Sequence, residues 1–374
     1  MQTDRRTWLK QSALLLAALG LTRTGMAAPG EVMNPDPAGD TLLLNSNENA
    51  YGPSPSARRA ILVNYLQSNR YPDDLITPLV KRIADHHGVS PDHILLGAGA
   101  SEIIGLGLLL ASQNNRQLVT ADPSYNVWEP QAGALGYSIS RIPLNASRML
   151  DLDKMAAAHD QKRPSFIYLC NPNNPTGTFL HPEVIKSFAQ EMSKDSLVFI
   201  DEAYTEYAGL ESLAGLAATN PRILVAKTFS KIYGLAGARV GYAVSHPETI
   251  RKLGALQPWP HANISTVSAA AAAASLLDQS FVDDCRQKCL VMRNMCYTAF
   301  DRLKLEYIPS STNFILFRID KLQGDLTSML KQRNILVQRR EHFGGVWCRV
   351  SMGTVDEMLQ FTQAVEEIVT TKSF

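Results

Sequence analysis

Phe166-Ile167-Tyr168-Leu169-Cys170 runs directly into Asn171-Pro172-Asn173-Asn174-Pro175-Thr176-Gly177. The first five residues have strand length and no polar alternation, so they read as a strand buried on both faces. The cluster that follows cannot prolong a strand, because its prolines lack backbone donors and its glycine favours a turn. The same grammar recurs on either side. Leu197–Ile200 is followed by Asp201-Glu202-Ala203-Tyr204, and Ile223–Lys227 by Thr228-Phe229-Ser230-Lys231 and then Gly234-Leu235-Ala236-Gly237-Ala238-Arg239-Val240-Gly241. Upstream, Gln117–Ala121 is another such run, and Ile94-Leu95-Leu96 leads to Gly97-Ala98-Gly99-Ala100-Ser101-Glu102. Helices are predicted over 56–67, 75–87, 101–110 and 268–277, the last holding six consecutive alanines. The alternation predicts an α/β fold whose large domain has a mainly parallel sheet covered by helices. Asn313–Arg318, Ile335–Gln338 and Val346–Ser351 read as strands of a smaller α+β domain. The expected organisation is a signal over 1–28, an N-terminal arm over 29–70 contributing to the small domain, a large domain over 71–275 and a small one over 276–374.

The chain has 374 residues, 45% of them hydrophobic and 19% charged, which is a globular and not a disordered composition. Lys and Arg total 36 against 35 Asp and Glu, so nothing in the charge balance points to nucleic acid. The five cysteines, Cys170, Cys285, Cys289, Cys296 and Cys348, form neither a CxxC pair nor a disulfide ladder and are expected to pack in the core. Asp4-Arg5-Arg6-Thr7-Trp8-Leu9-Lys10 precedes an apolar stretch from Ser12 to Leu21 and small residues around Gly25-Met26-Ala27-Ala28. That pattern reads as an export signal, too short to span a bilayer, the alternative being an amphipathic first helix of the fold. Its paired arginines resemble a bacterial twin-arginine signal, which implies export of the folded chain through that machinery to the periplasm.

In open sheets of this kind, ligands bind beyond the carboxyl ends of the strands. The groups gathered there are an amide, a carboxylate, a lysine, hydroxyls, an arginine and a glycine-rich helix start. Such a set suits an anionic heteroaromatic cofactor attached through a lysine imine. The Gly97–Ser101 turn, Thr228, Ser230 and Arg239 could cradle a phosphate, although the glycine turn taken alone reads equally as a tight connection. The GxGxxG dinucleotide fingerprint and the P-loop lysine are both missing. Lys231, among hydroxyls and eight residues before Arg239, suits a Schiff-base lysine. Asp201 could hold a pyridine nitrogen protonated, and Asn174 and Tyr204 could bond a ring oxygen.

NPNNPTG, DEAY and TFSK followed after six residues by ARVGY, in that order, make the chain resemble the fold-type I pyridoxal-phosphate aminotransferases. Within them it is similar to the histidinol-phosphate aminotransferase family, from about Leu42 to Val369. The resemblance implies pyridoxal 5'-phosphate as cofactor and transfer of an amino group from an amino acid to a 2-oxo acid by a ping-pong mechanism. It implies Lys231 as the imine lysine and proton shuttle, Asp201 on the pyridinium nitrogen, Asn174 and Tyr204 on the ring oxygen, and Tyr125 stacked on the ring. Ala100, Ser101, Thr228, Ser230 and Arg239 match the phosphate-binding positions. Tyr71 matches a tyrosine that reaches the phosphate of a neighbouring subunit, which implies a homodimer with shared sites. Arg349 matches the clamp for the substrate carboxylate, and Tyr51 and Asn49 match positions near the substrate side chain. Gln338 stands where relatives that bind a phosphorylated side chain usually carry arginine; either Arg339 or Arg340 substitutes through a shifted register or the phosphate contact is lost, and a one-residue shift turns a side chain to the opposite face. With the export signal, this favours a free aromatic or imidazole-bearing amino acid over histidinol phosphate. Decarboxylases, β-lyases and racemases use the same scaffold and lysine. A non-catalytic periplasmic binding module would have no need of the proton shuttle, and a nicotinamide-dependent oxidoreductase lacks its fingerprint.

Overall fold

The computed structural model describes residue 39 and residues 41–113, 116–159, 165–261 and 263–371; the expected export signal lies outside them. Residues 42–374 form one compact unit. Its strands in chain order are β1 (Leu42–Leu43), β2 (Ile94–Gly97), β3 (Gln117–Asp122), β4 (Ser138–Pro143), β5 (Ser165–Cys170), β6 (Leu197–Asp201), β7 (Ile223–Thr228), β8 (Gly241–Val244), β9 (Tyr307–Ile308), β10 (Phe314–Arg318), β11 (Ile335–Leu336), β12 (Gln338–His342) and β13 (Gly345–Ser351).

Seven strands form the large sheet in the order β2-β8-β7-β6-β5-β3-β4. The five from β7 to β4 are parallel, and β8 runs antiparallel to both of its neighbours. The helix Ala100–Ala111 packs so closely on this sheet that a Cβ at Gly107 would lie 3.2 Å from the Phe199 ring. Register carries the consequence for function. Cys170 is opposite Asp201, and Asp201 is opposite Ala226, so the polar residues closing β5, β6 and β7 emerge side by side.

The smaller sheet is antiparallel, β12-β13-β10-β9, flanked by the long helix Gln279–Arg302 and by Val355–Thr371. The N-terminal arm joins this part of the chain, because β1 pairs in parallel with β11 and Ser351 donates its N–H to the Leu44 carbonyl at 2.9 Å. The expected strand Ile335–Gln338 is therefore two strands. Ile335–Leu336 serves the arm and Gln338–His342 serves β13, with Val337 as the break. Four strands escaped the sequence reading, the two-residue β1 and β9 among them. β4 is a half-exposed edge with no apolar run, and β8 is only four residues long behind a glycine-rich loop. All five cysteines are buried and free. Among the described residues no helix is long and apolar enough to cross a membrane.

On the face of the sheet away from the polar strand ends, Lys227 is buried with its Nζ 2.9 Å from Glu206 and 3.3 Å from Glu202. Glu202 also accepts from Ser212 Oγ at 2.6 Å and from the Leu213 N–H at 2.7 Å. Strand alternation explains the placement, since Asp201 and Thr228 face one way and their neighbours Glu202 and Lys227 the other. Removing the ammonium leaves carboxylates buried without their counterion, which costs about 3–5 kcal/mol. Lys227→Met is accordingly expected to lower the urea midpoint by that much stability, and an unchanged midpoint would show that the cluster is solvated.

Candidate active site

The strand ends, the arm and β12 enclose a cleft of about 630 Å³. Asp201 sits at its base, 3% exposed. Its carboxylate accepts from the Tyr168 hydroxyl at 2.7 Å and from the Ala203 N–H at 3.1 Å. Burial pushes the carboxyl above its ordinary pKa, while the Tyr168 bond and the charge of Lys231 pull the other way. Lys231 lines the same cleft, its Nζ 3.4 Å from the Ser46 carbonyl. Burial and then the positive charge of Arg349 bring its pKa down from 10.5 to about 8. A lysine so tuned has an appreciable neutral, nucleophilic fraction near neutrality.

One end of the cleft is an anion cradle. The helix Ala100–Ala111 starts after Gly99 without a side-chain cap, so its first N–H groups and its dipole face the cleft at Ala100 and Ser101. Gly99 has φ +80°, and a Cβ there would lie 2.4 Å from Arg239 Nη2, so only glycine allows the guanidinium this close. Arg239 donates to the Ala236 carbonyl at 3.1 Å and the Ala98 carbonyl at 3.3 Å, and no carboxylate among the described residues pairs with it. Thr228 Oγ1 donates to Ser230 Oγ at 2.9 Å on the adjacent wall.

The middle and far end are organised around Arg349, buried on β13. It donates to Asn174 Oδ1 at 2.8 Å and to the Asn45 carbonyl at 3.0 Å, while its Nε has no partner among the described residues. Burial brings its pKa down to about 10. Asn174 donates to the Tyr204 hydroxyl at 3.4 Å, and Tyr125 lines the cleft close enough to Asp201 to feel its charge.

Three expected residues are not in the cleft. Tyr71 is 70% exposed, with its ring 4.8 Å from that of Trp259. Asn49 spends its amide on the Ile232 carbonyl at 2.7 Å, fastening the arm to the loop that carries Lys231. Tyr51 packs under Lys288, whose Nζ is 4.5 Å from its ring, so it too faces away from the cleft. Other residues were missed. Asn47, buried in the arm, donates to the Tyr204 hydroxyl at 3.0 Å; its only signal was the Asn-rich arm. Tyr168 was hidden in an apolar run, two residues before Cys170 and therefore on its face. His342 lines the cleft beside Gln338 and was missed as well, whereas Arg340, one of the two arginines weighed as a substitute for Gln338, lines it too. The alternation of β12 turns Arg339 outward but returns Arg340 to Gln338's face, where it donates to Gln338 Oε1.

Residues 39–365 match the family model of aminotransferase class I and II. The chain belongs to that family. It is 34% identical over 336 residues to the histidinol-phosphate aminotransferase of Moorella thermoacetica, covering 88% of this chain and 86% of that one. The structure of the Sinorhizobium meliloti histidinol-phosphate aminotransferase in complex with pyridoxal-5'-phosphate superposes with a TM-score of 0.81 at 27% identity, covering 88% of this chain and 91% of the other. L-threonine-O-3-phosphate decarboxylase from Porphyromonas gingivalis shares the fold, with a TM-score of 0.73 at 21% identity. The chain is thus a pyridoxal-phosphate-dependent aminotransferase of fold type I. The site fits that cofactor on its own terms. An anion cradle, an activated lysine and a buried carboxylate lie around one cleft, at the places where a phosphate, an aldehyde and a ring nitrogen need them.

The depressed pKa of Lys231 has a measurable consequence. In the cofactor-free chain, covalent capture of an aromatic aldehyde, trapped by borohydride, is expected to rise with pH about a midpoint near 8 rather than 10.5. Lys231→Ala should give no capture at the site. Between those two pH values the unfolded chain binds more protons than the folded one, so this lysine makes stability rise with pH. A midpoint above 10 would mean that the lysine is not desolvated.

Proposed function

We propose that this aminotransferase takes a free amino acid with an imidazole or aromatic side chain as donor and a dicarboxylic 2-oxo acid, such as 2-oxoglutarate, as acceptor, in a ping-pong cycle. The observation that carries the reading is the placement of Arg349 and Arg340 on one cleft with Lys231, beyond the arginine of the anion cradle. Bound pyridoxal phosphate supplies an aldehyde that condenses with amines and a protonated ring that accepts electrons. Arg349, with its free Nε, grips the substrate carboxylate and so aligns the bond from the α-carbon to its hydrogen for removal. Lys231, whose lowered pKa favours the neutral amine, would take that proton and return it on the other side of the exchange. Asp201 holds the ring nitrogen's proton, and Tyr168 and Ala203 keep its carboxylate ionised and oriented. Asn174 and Tyr204, the latter set by Asn47, would bond the ring oxygen, and Tyr125 would pack on the ring. Ala100, Ser101, Thr228, Ser230 and Arg239 bind the phosphate. Arg340 meets the second carboxylate of the acceptor, while Gln338 and His342 offer hydrogen bonds to a polar ring on the donor. The relatives named as aminotransferases favour transfer over decarboxylation, β-elimination or racemisation.

A second reading, histidinol phosphate as donor, is favoured by one observation. Arg340 supplies on Gln338's face the guanidinium that Gln338 lacks.

The assembly we propose is a homodimer. Tyr71 and its exposed neighbours Leu62, Val63, Tyr65 and Leu66 support it, since such a patch is unusual on a free surface. Light scattering at micromolar concentration separates dimer from monomer. Export through the twin-arginine route to the periplasm rests on the sequence of residues 1–28, and fractionation of cells carrying Arg5→Lys/Arg6→Lys tests it.

A donor panel decides the substrate. With 2-oxoglutarate as acceptor, histidine or an aromatic amino acid is expected to exceed histidinol phosphate in kcat/KM by about tenfold or more. The reverse order would establish the second reading. Arg340→Gln should raise the KM for 2-oxoglutarate by about tenfold, the value of a charge-assisted hydrogen bond, while leaving pyruvate unaffected.

A further inference from the structure

The turn that joins β12 to β13 is built against residue preference. β12 ends at His342 and β13 begins at Gly345, so Phe343 and Gly344 are its two central residues, with φ of +54° and +67°. Two-residue hairpins of this hand take Asn, Asp or Gly at the first position, because a bulky side chain is poorly accommodated at positive φ. An aromatic held there directs attention to a contact that requires the ring.

Arg148 makes that contact. Its guanidinium carbon lies 3.9 Å from the centre of the Phe343 ring, well within cation–π range. Arg148 also has positive φ, +60°, in a tight loop after β4. That loop is fixed from several directions. Asn145 Oδ1 accepts from the N–H groups of Ser147 and Met149 at 2.9 and 3.1 Å, and the Arg148 carbonyl accepts from Thr178 Oγ1 at 2.7 Å. The loop's first residue, Leu144, donates to the carbonyl of Asp122, a residue on the cleft wall. On the other side, Trp347 meets the Phe343 ring edge-on at 5.8 Å, and its Nε1 donates to the His342 carbonyl at 2.9 Å.

β12 is an edge strand, paired among the described residues with β13 alone, yet its inner face presents Gln338, Arg340 and His342 to the cleft. A strand held on one side needs a further tie if those side chains are to keep a fixed distance from the opposite wall. We propose that Arg148 and Phe343 form a latch across the mouth of the cleft that holds β12 in place and so sets which substrate side chains fit. Neither residue lines the cleft, and both are positioning residues. The selection half of the proposal rests on the aminotransferase reading of β12 given above.

The holoenzyme tests it with Phe343→Asn, Arg148→Met and the double variant. Asparagine suits the turn better than phenylalanine, so a purely local role for residue 343 would make amide exchange over 338–347 slower. The latch makes it faster, by about fivefold in either single variant, the factor a partly exposed cation–π contact confers, with no further rise in the double variant. Slower or unchanged exchange in either single variant, or additive effects, overturns the latch. The same variants are expected to raise the KM for a ring-bearing donor by about fivefold while kcat, the cofactor spectrum and the KM for alanine stay unchanged. Faster exchange with an unaltered ratio of the two KM values overturns the selection role. Absence of transfer from any donor in the wild type would contradict the aminotransferase reading, and the exchange result would still decide the latch.

Discussion

A carboxylate at the end of a buried strand is the constraint on which the site depends. Asp201 closes an apolar run among parallel strands, where desolvation raises its pKa and disfavours its charge. Three local features oppose this: the Tyr168 hydroxyl from the neighbouring strand, the Ala203 N–H from the chain's own turn, and the nearby charge of Lys231. The in-register ends of β5, β6 and β7 bring these groups together. The lysine is shaped by the same environment in the opposite sense, because burial and Arg349 disfavour its charge. Carboxylate and lysine therefore move towards each other's working range.

The cleft as a whole is electrically biased. Lys231, Arg239, Arg340 and Arg349 line it against Glu48, Asp122 and Asp201. The carboxylates are not paired off with the arginines, whose hydrogen bonds go instead to carbonyls and amides. Guanidinium groups held by neutral partners keep their charge available for an incoming anion. The arrangement suits an anionic cofactor at one end and anionic substrates at the other, and the arm residue Asn47 couples the two through Tyr204.

Much of this was legible in the sequence because a parallel sheet writes its site at the strand ends. Apolar runs followed by Pro, Gly or polar clusters located Asn174, Asp201, Thr228 and Lys231, whereas Arg349 was reached only through the family resemblance of Cys348-Arg349-Val350-Ser351-Met352-Gly353. What escaped depends on tertiary approach. Tyr168 looked like a core aromatic because its hydroxyl matters only once β5 lies against β6. Asn47 is one of several asparagines, and nothing local says which one turns inward. His342 gave no signal of its own, because which face of β12 meets the cleft is decided by its pairing with β13. Asn49 and Tyr51 were drawn towards the substrate by resemblance, whereas Asn49 fastens the arm to the lysine loop and Tyr51 packs against Lys288.

The most direct measurement is the visible spectrum of the holoenzyme on adding an amino donor without any oxo acid, for the wild type and for Asp201→Ala. The wild type should lose its cofactor band and regain it with 2-oxoglutarate. The variant should retain bound cofactor but convert about a thousand times more slowly, because the ring no longer has a partner for its protonated nitrogen. Equal rates in the two proteins would contradict the role assigned to the buried carboxylate.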